Sequence, residues 1–144
     1  MSRRLTRAAV LAAALLPALL VSCSSTAPTP EAGRYIATRF AVTAPSSAPA
    51  DWLAGGAVFD VSIAESSTTS GRLFVPAALA DGAAIDADLA GVAFVDAAGR
   101  LQFVFRPADL FVESLRFQRV GQTFTADTVT TDGVRVALTL TRQP

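Results

Sequence analysis

The fold is decided by the stretch 123–142, TFTADTVTTDGVRVALTLTR. Its second half alternates strictly between apolar side chains and polar or small ones: Val134, Val136, Leu138 and Leu140 against Arg135, Ala137, Thr139 and Thr141. Successive side chains of a strand point to opposite faces, so this pattern predicts a strand with one buried face. The first half is rich in β-branched Thr and Val, and Asp132-Gly133 between the halves favours a hairpin turn. We therefore predict an antiparallel hairpin.

The same period of two recurs along the chain before this hairpin. About eight strands are predicted, within 34–43, 59–63, 73–75, 92–96, 101–105, 115–118, 123–130 and 134–141. In the first of them we expect Ile36, Phe40 and Val42 on one face and Arg39 on the other. Eight antiparallel strands joined mostly by short turns usually close into an up-and-down barrel or stack as a sandwich. We predict an all-β fold, a small up-and-down barrel of about eight strands, with a β-sandwich as the alternative.

The apolar face of these strands supplies the candidate binding residues. A barrel of this size has an interior that side chains fill or that holds one small ligand. Seven residues are predicted to line such a cavity: Phe59, Val61, Phe103, Phe105, Phe117, Val136 and Leu138. In the alternative interpretation the core is packed and the protein acts through protein–protein contacts. An exposed apolar patch such as Phe74, Val95 and Val104 would then be the contact surface.

Composition excludes many kinds of catalytic and metal site. The 144 residues contain no His and no Lys, and Arg supplies all 12 basic residues. There is therefore no imidazole base, no Schiff-base lysine and no His-ligated metal. The acidic segment holding Asp81, Asp86 and Asp88 lacks the spacing of an EF-hand, so we interpret it as a solvated loop. We expect a protein that is not an enzyme and has no cofactor and no metal.

The first 23 residues have the three parts of an export signal. Arg3, Arg4 and Arg7 precede an apolar run over 8–20, which at 13 residues is shorter than the roughly 20 that span a bilayer. Leu20-Val21-Ser22-Cys23 follows. This tetrapeptide resembles the lipobox of bacterial lipoproteins. The resemblance implies that the Cys23 sulfur receives a diacylglyceryl group and that cleavage leaves Cys23 as the first residue.

These features divide the chain into a signal peptide with its helix at 1–22, a lipidated flexible tether at 23–32 and an antiparallel β domain at 33–144. We expect the protein in the cell envelope, with the acylated N-terminus as its membrane partner. Ser24 follows the cysteine, and in the enteric lipoprotein pattern a residue other than Asp at this position permits transfer to the outer membrane, so we expect that membrane, on its periplasmic side. Nine Arg against 12 acids leave residues 23–144 with a net charge of −3 and no basic stripe, so nucleic acid is not expected as a partner.

A second resemblance concerns the β domain. Gly33-Arg34-Tyr35 at the start of the first strand is similar to the Gly-x-Trp of lipocalins, with Tyr in place of Trp. Lipocalins place an Arg near the last strand over that aromatic ring, and Arg135 or Arg142 would serve here. The resemblance implies a lipocalin-like barrel, and a non-catalytic function in which it binds a small apolar ligand or an envelope protein.

Replacement of the lipobox cysteine tests the anchor. Cys23→Ala removes the only thiol of the chain, so the variant should carry no lipid and remain an uncleaved precursor. Intact mass and membrane fractionation check this. Normal processing and membrane retention of the variant would contradict the anchor.

Overall fold

The computed structural model describes residues 28–106 and 110–144, and within them the protein is all-β. The signal peptide with its predicted helix, Cys23 and residues 24–27 lie outside the described residues. Ten strands and one short 3₁₀ helix follow each other along the chain: β1 Gly33–Thr43, β2 Ala50–Asp51, β3 Val58–Ile63, β4 Thr68–Val75, β5 Ile85–Asp88, β6 Gly91–Val95, β7 Leu101–Phe105, η1 Phe111–Ser114, β8 Gln118–Val120, β9 Thr123–Val129 and β10 Arg135–Arg142.

All strands belong to one antiparallel sheet that curls into a half-barrel. The strand order is β7-β6-β4-β3-β1-β10-β9-β8, so the first strand pairs with the last. The short strands β2 and β5 lie off this path, paired with β1 and β4. The two ends of the path meet at one antiparallel bridge, where Leu101 and Phe117 each donate a backbone N–H to the other's carbonyl at 2.9 Å. The fold is thus β-barrel-like, as the alternation predicts.

The hairpin predicted at 123–142 is present as β9 and β10. Its register runs from Val129 opposite Arg135 to Thr123 opposite Thr141. The apolar side chains of β10 are buried, as their alternation predicts. In the turn only Gly133 adopts the left-handed backbone (φ 77°), while Asp132 does not, because the loop spans three residues rather than two.

A bulge in β1 changes which of its side chains face the interior, so the prediction for this strand is wrong at Ile36. The pairing with β10 shifts register between Ala37 and Arg39. The bulge places Tyr35 and Phe40, five residues apart, both in the interior, with 1% and 0% of their surfaces exposed. Ile36, predicted to share a face with Phe40, lies opposite Thr141 on the outer face instead. A strict period of two does not anticipate the extra residue.

The strands define two ends of the half-barrel. β1 begins at the end that we call the base, near the turns 64–67, 96–100 and 121–122. It finishes at the opposite end, the mouth, near the loops 44–49, 52–57, 76–84 and 130–134. The core runs between them as one cluster of buried side chains. Val112 of η1 and the following Leu115 are fully buried in that cluster.

Gly71 allows β3 and β4 to approach closely. Its φ is +148°, and a Cβ at this position would lie 2.0 Å from the backbone oxygen of Asp60 and 2.9 Å from the Cα of Val61. Backbone atoms within a paired strand cannot move aside as the tip of a flexible side chain can. Only glycine fits here without displacing β3.

Gly71→Ala should therefore destabilise the fold by about 1–3 kcal/mol or more, the usual range for overpacking. Gly121→Ala is the matched control, because its φ is also positive (+62°) but nothing lies within 4 Å of the added Cβ. Urea unfolding of the two variants measures the difference. Equal midpoints would show that the contact between β3 and β4 does not require glycine.

Candidate functional site

The interior holds all seven residues predicted to line a cavity. Their exposed fractions range from 0% to 4%, and they belong to one continuous core. The Phe103 ring stacks on Phe105 with centroids 5.4 Å apart and meets Phe117 edge-on at 5.6 Å. The structure thus brings the predicted residues together among other buried side chains that pack the interior.

A cleft lies at the mouth rather than among these seven residues. It has a volume of about 470 Å³ and is formed by the end of β1, the segment after it, the loop before β5 and the β9–β10 turn. Its walls are mostly apolar: Val42, Ala44, Ser47, Ala48, Ala50, Trp52, Ala78, Leu79, Ala80, Asp81, Ile85 and Val134. The alternation of apolar residues could not identify this site, because loops without a regular period supply most of it.

Trp52 separates the cleft from the core. Its backbone N–H donates to the carbonyl of Phe40 at 2.8 Å, and its ring lies 5.1 Å from the Phe40 ring. Phe111 of η1 approaches both rings at 6.1 Å. These three aromatic side chains close the mouth end of the core, and Trp52 also lines the cleft. The sequence alone could have drawn attention to Trp52, because it is the only Trp of the chain and lies among small residues.

Local contacts fix the loop that carries Trp52. The Asp51 carboxylate accepts the backbone N–H groups of Leu53 at 3.0 Å and Ala54 at 3.2 Å, which orders the turn after β2. Leu79 packs against Gly55, where a Cβ would lie 2.6 Å from the Leu79 Cδ1 atom. Leu79 therefore packs closely on this glycine, and a larger side chain at position 55 would displace the tip of Leu79.

The charge at the cleft comes from one carboxylate. Asp81 is the only charged residue among those that the structure shows lining it. A carboxylate beside mostly apolar walls repels an anionic ligand and tolerates a neutral or cationic one. The arrangement suits a small apolar molecule that is uncharged or carries an amine.

The base holds a different constellation, centred on Glu31. Its carboxylate contacts Arg142 Nη1 at 2.5 Å and Arg119 Nη2 at 2.8 Å. The buried Tyr35 hydroxyl donates to the Glu31 carbonyl at 3.0 Å, and burial raises the pKa of this phenol. A neighbouring pocket of about 120 Å³ is small and mainly polar. These contacts hold the chain in place immediately before β1.

Of the two arginines proposed to lie near Tyr35, the structure selects Arg142. A Cβ at Gly33 would lie 2.7 Å from Arg142 Nε, so this side chain packs directly against the start of β1. Arg135 lies at the mouth and binds Asp127 through two hydrogen bonds of 2.7 and 2.6 Å. These bonds lower the pKa of Asp127.

The acidic segment does not assemble a cation site. Asp86 forms two 2.8 Å hydrogen bonds with Arg72, which lower its pKa, and Asp88 accepts the Ala90 N–H at 3.1 Å. Asp81 lies at the cleft. Within residues 28–106 and 110–144, no group of three or more His, Cys, Asp or Glu side chains is placed to hold a metal ion.

The outer face of the β6–β7 hairpin exposes apolar side chains. Of the three residues predicted to form an exposed patch, Val104 is exposed. Phe74 is partly covered, because the Arg72 guanidinium lies 5.0 Å above its ring. Val95 is on the other face of the hairpin, opposite the buried Leu101. Val92 and Phe94 accompany Val104 instead.

Two negative findings complete the description of the site. In the described part of the chain, no helix has the length and apolar character to cross a membrane. Compared with protein families, curated proteins and solved structures, the chain matches none of them.

Asp96 makes the base sensitive to acid. Its carboxylate accepts the backbone N–H groups of Arg100 and Ala98, both at 2.9 Å, and the side chains of Arg100 and Gln102 at 2.8 Å. These bonds, led by that of the Arg100 N–H, lower its pKa. The stability they contribute is therefore full above the unfolded-state pKa of about 3.9 and is lost as the pH falls through the lower folded value.

Acidification from pH 7 to pH 3 should lower the melting temperature of the native protein more than that of Asp96→Asn. Glu65→Gln, an exposed turn residue, controls for the loss of one acidic charge. Thermal melts at both pH values measure the difference. A wild-type decrease no larger than that of the Asp96 variant would mean that this carboxylate does not stabilise the hairpin.

Proposed function

We propose that the protein is a lipoprotein of the bacterial cell envelope that is anchored through acylated Cys23 and binds a small apolar molecule without transforming it. The ligand is neutral or cationic, and the binding site is the mouth cleft. The observation that carries the proposal is the Trp52-floored cleft, at the end of the half-barrel opposite the one where the chain enters the domain. The anchor itself rests on the basic N-terminus, the apolar run of 13 residues and the lipobox resemblance.

The cleft has the properties of a ligand site. Pockets for small molecules typically occupy about 300–1,000 Å³ and combine apolar walls with a few polar groups. Here the volume is about 470 Å³, with Trp52 as a large flat contact and Asp81 and Ser47 as polar groups. The seven residues first expected to line a cavity are buried in one cluster, whereas the cleft of about 470 Å³ lies at the mouth, which supports placing the ligand at the mouth instead of at the centre of the barrel.

A lipocalin-like barrel is the finer fold that we propose. Three observations support it: neighbouring strands of the main path follow one another in sequence, β1 pairs with β10, and Leu101 and Phe117 join the two ends of the path. Arg142 against Gly33, close to Tyr35, corresponds to the arginine that the resemblance implies near the last strand. In this barrel, residues 110–116, which include η1, cover the side where β7 and β8 do not form a paired ladder.

The lone Trp52 makes ligand binding directly measurable, since tryptophan emission of the whole protein comes from the cleft. Full-length acylated protein in phosphatidylcholine vesicles is titrated with three probes of similar shape: cyclohexylmethylamine, cyclohexylmethanol and cyclohexanecarboxylate. We expect saturable emission changes with the amine and the alcohol, and at least about fivefold weaker binding of the carboxylate, since about 1 kcal/mol of repulsion gives this ratio.

Asp81→Asn should raise the affinity for the carboxylate to that for the alcohol. Asp132→Asn is the matched control, since it removes an acid from a mouth turn without touching the residues that line the cleft. The absence of a saturable change with all three probes would refute the cleft as a ligand site. Preference for the carboxylate would refute the proposed ligand charge.

A further inference from the structure

The described chain begins against the base of the half-barrel. Residues 28–31 form one wall of a crevice of about 230 Å³, and Val95, Gly99 and Leu101 of the β6–β7 hairpin form another. Glu31 is held there by its two arginines. Residues 28–32, predicted as part of a flexible tether, are therefore seated on the domain.

An exposed apolar strip lies on the outer face of the same hairpin. The basal strip consists of Val92, Phe94 and Val104, with exposed fractions of 46%, 40% and 51%. Val92 is directly opposite Val104 across the two strands, and Phe94 lies two residues closer to the turn. Val95 separates Phe94 from that turn, so the strip begins about 3.3 Å above it.

The covalent chain limits how far the strip can lie from a lipid anchor. Five Cα–Cα steps join Cys23 to Pro28, which is at most about 19 Å. If Cys23 carries the acyl chains, as the proposed function requires, the base cannot move further than this from the bilayer surface. The strip is therefore held beside the membrane at a high effective concentration.

We propose that the basal strip docks on the bilayer interface, so that the β6–β7 wall of the base lies against the membrane and the mouth tilts away from it. Valine and phenylalanine side chains on an outer strand face can enter the headgroup boundary without disturbing the core. Charge favours the same orientation. The mouth loops carry Asp51, Asp81 and Asp132, which an anionic surface repels. At the base, Arg100, Arg119 and Arg142 balance the carboxylates of Glu31, Glu65 and Asp96. This inference rests on the acyl anchor of the proposed function, and the strip adds orientation to it.

Single introduced cysteines test the docking. After acylation the Cys23 sulfur is blocked, so Phe94→Cys or Val104→Cys provides the only free thiol. Each is labelled with a nitrobenzoxadiazole fluorophore in full-length protein reconstituted into vesicles that contain a lipid with a nitroxide near the headgroup. Val129→Cys is the matched control, because Val129 is an exposed valine (62%) on a strand at the mouth.

We expect both strip labels to be quenched at least about threefold more than the Val129 label and to emit at shorter wavelength. Two strip positions guard against one variant that fails to fold, which circular dichroism of the sheet reveals. Equal, weak quenching at all three positions in protein that floats with the vesicles would overturn docking and leave the anchor intact. Protein that does not float would overturn the anchor and, with it, the docking.

A protein partner is the remaining outcome that would overturn the proposal. In that case the strip labels would be shielded from a water-soluble quencher in native envelope membranes but not in vesicles of pure lipid. Shielding in both preparations supports docking on the bilayer.

Discussion

The pairing of β1 with β10 is the constraint on which the rest of the structure depends. It joins the first strand of the domain to the last, about 100 residues apart in sequence, over almost the whole length of β1. Without it, β1 to β7 and β8 to β10 would be paired, within the described residues, only at the bridge between Leu101 and Phe117, and both β1 and β10 would have an unpaired edge. With it, the sheet curls around one core, and both Pro28 and Pro144 lie at the base.

This arrangement divides the molecule into two ends with different chemistry. The base is built from ion pairs around Glu31 and from the Asp96-centred hairpin, so it is fixed and polar, with the basal strip on its outer wall. The mouth is built from loops that meet over Trp52, and its cleft is mostly apolar. Anchoring at one end and ligand binding at the other would keep the two functions from competing for surface.

The sequence predicted the part of the fold that periodicity governs. The alternation at 134–141 is that of β10, because one face of the strand is buried and the other is not. The prediction that Ile36 shares a face with Phe40 was wrong. The bulge at Thr38 results from the pairing of β1 with β10, and no local sequence pattern indicates it. The seven residues predicted to line a cavity are all buried in one core, but whether side chains leave a void there depends on packing, which alternation does not determine.

The site was less accessible to prediction for a physical reason. The cleft forms where segments around positions 48, 79 and 134 meet, and only the closed topology brings them together. Trp52 stood out in composition, yet its role depends on the contact with Phe40, which the bulge in β1 turns inward. Similarly, the sequence could not decide whether Arg135 or Arg142 lies near Tyr35, because the register of β10 against β1 determines this.

The entry of the chain at Glu31 also has a mechanical consequence. A force transmitted from the N-terminus to a load held at the mouth would act along β1, parallel to the strand. The hydrogen bonds of β1 to β3 and β10 are perpendicular to that direction, so they would bear the load together in shear instead of opening one after another. The ion pairs of Glu31 with Arg119 and Arg142 lie just before β1, so such a force would reach them before it reaches the sheet. The arrangement of these hydrogen bonds therefore favours resistance to a force applied parallel to β1.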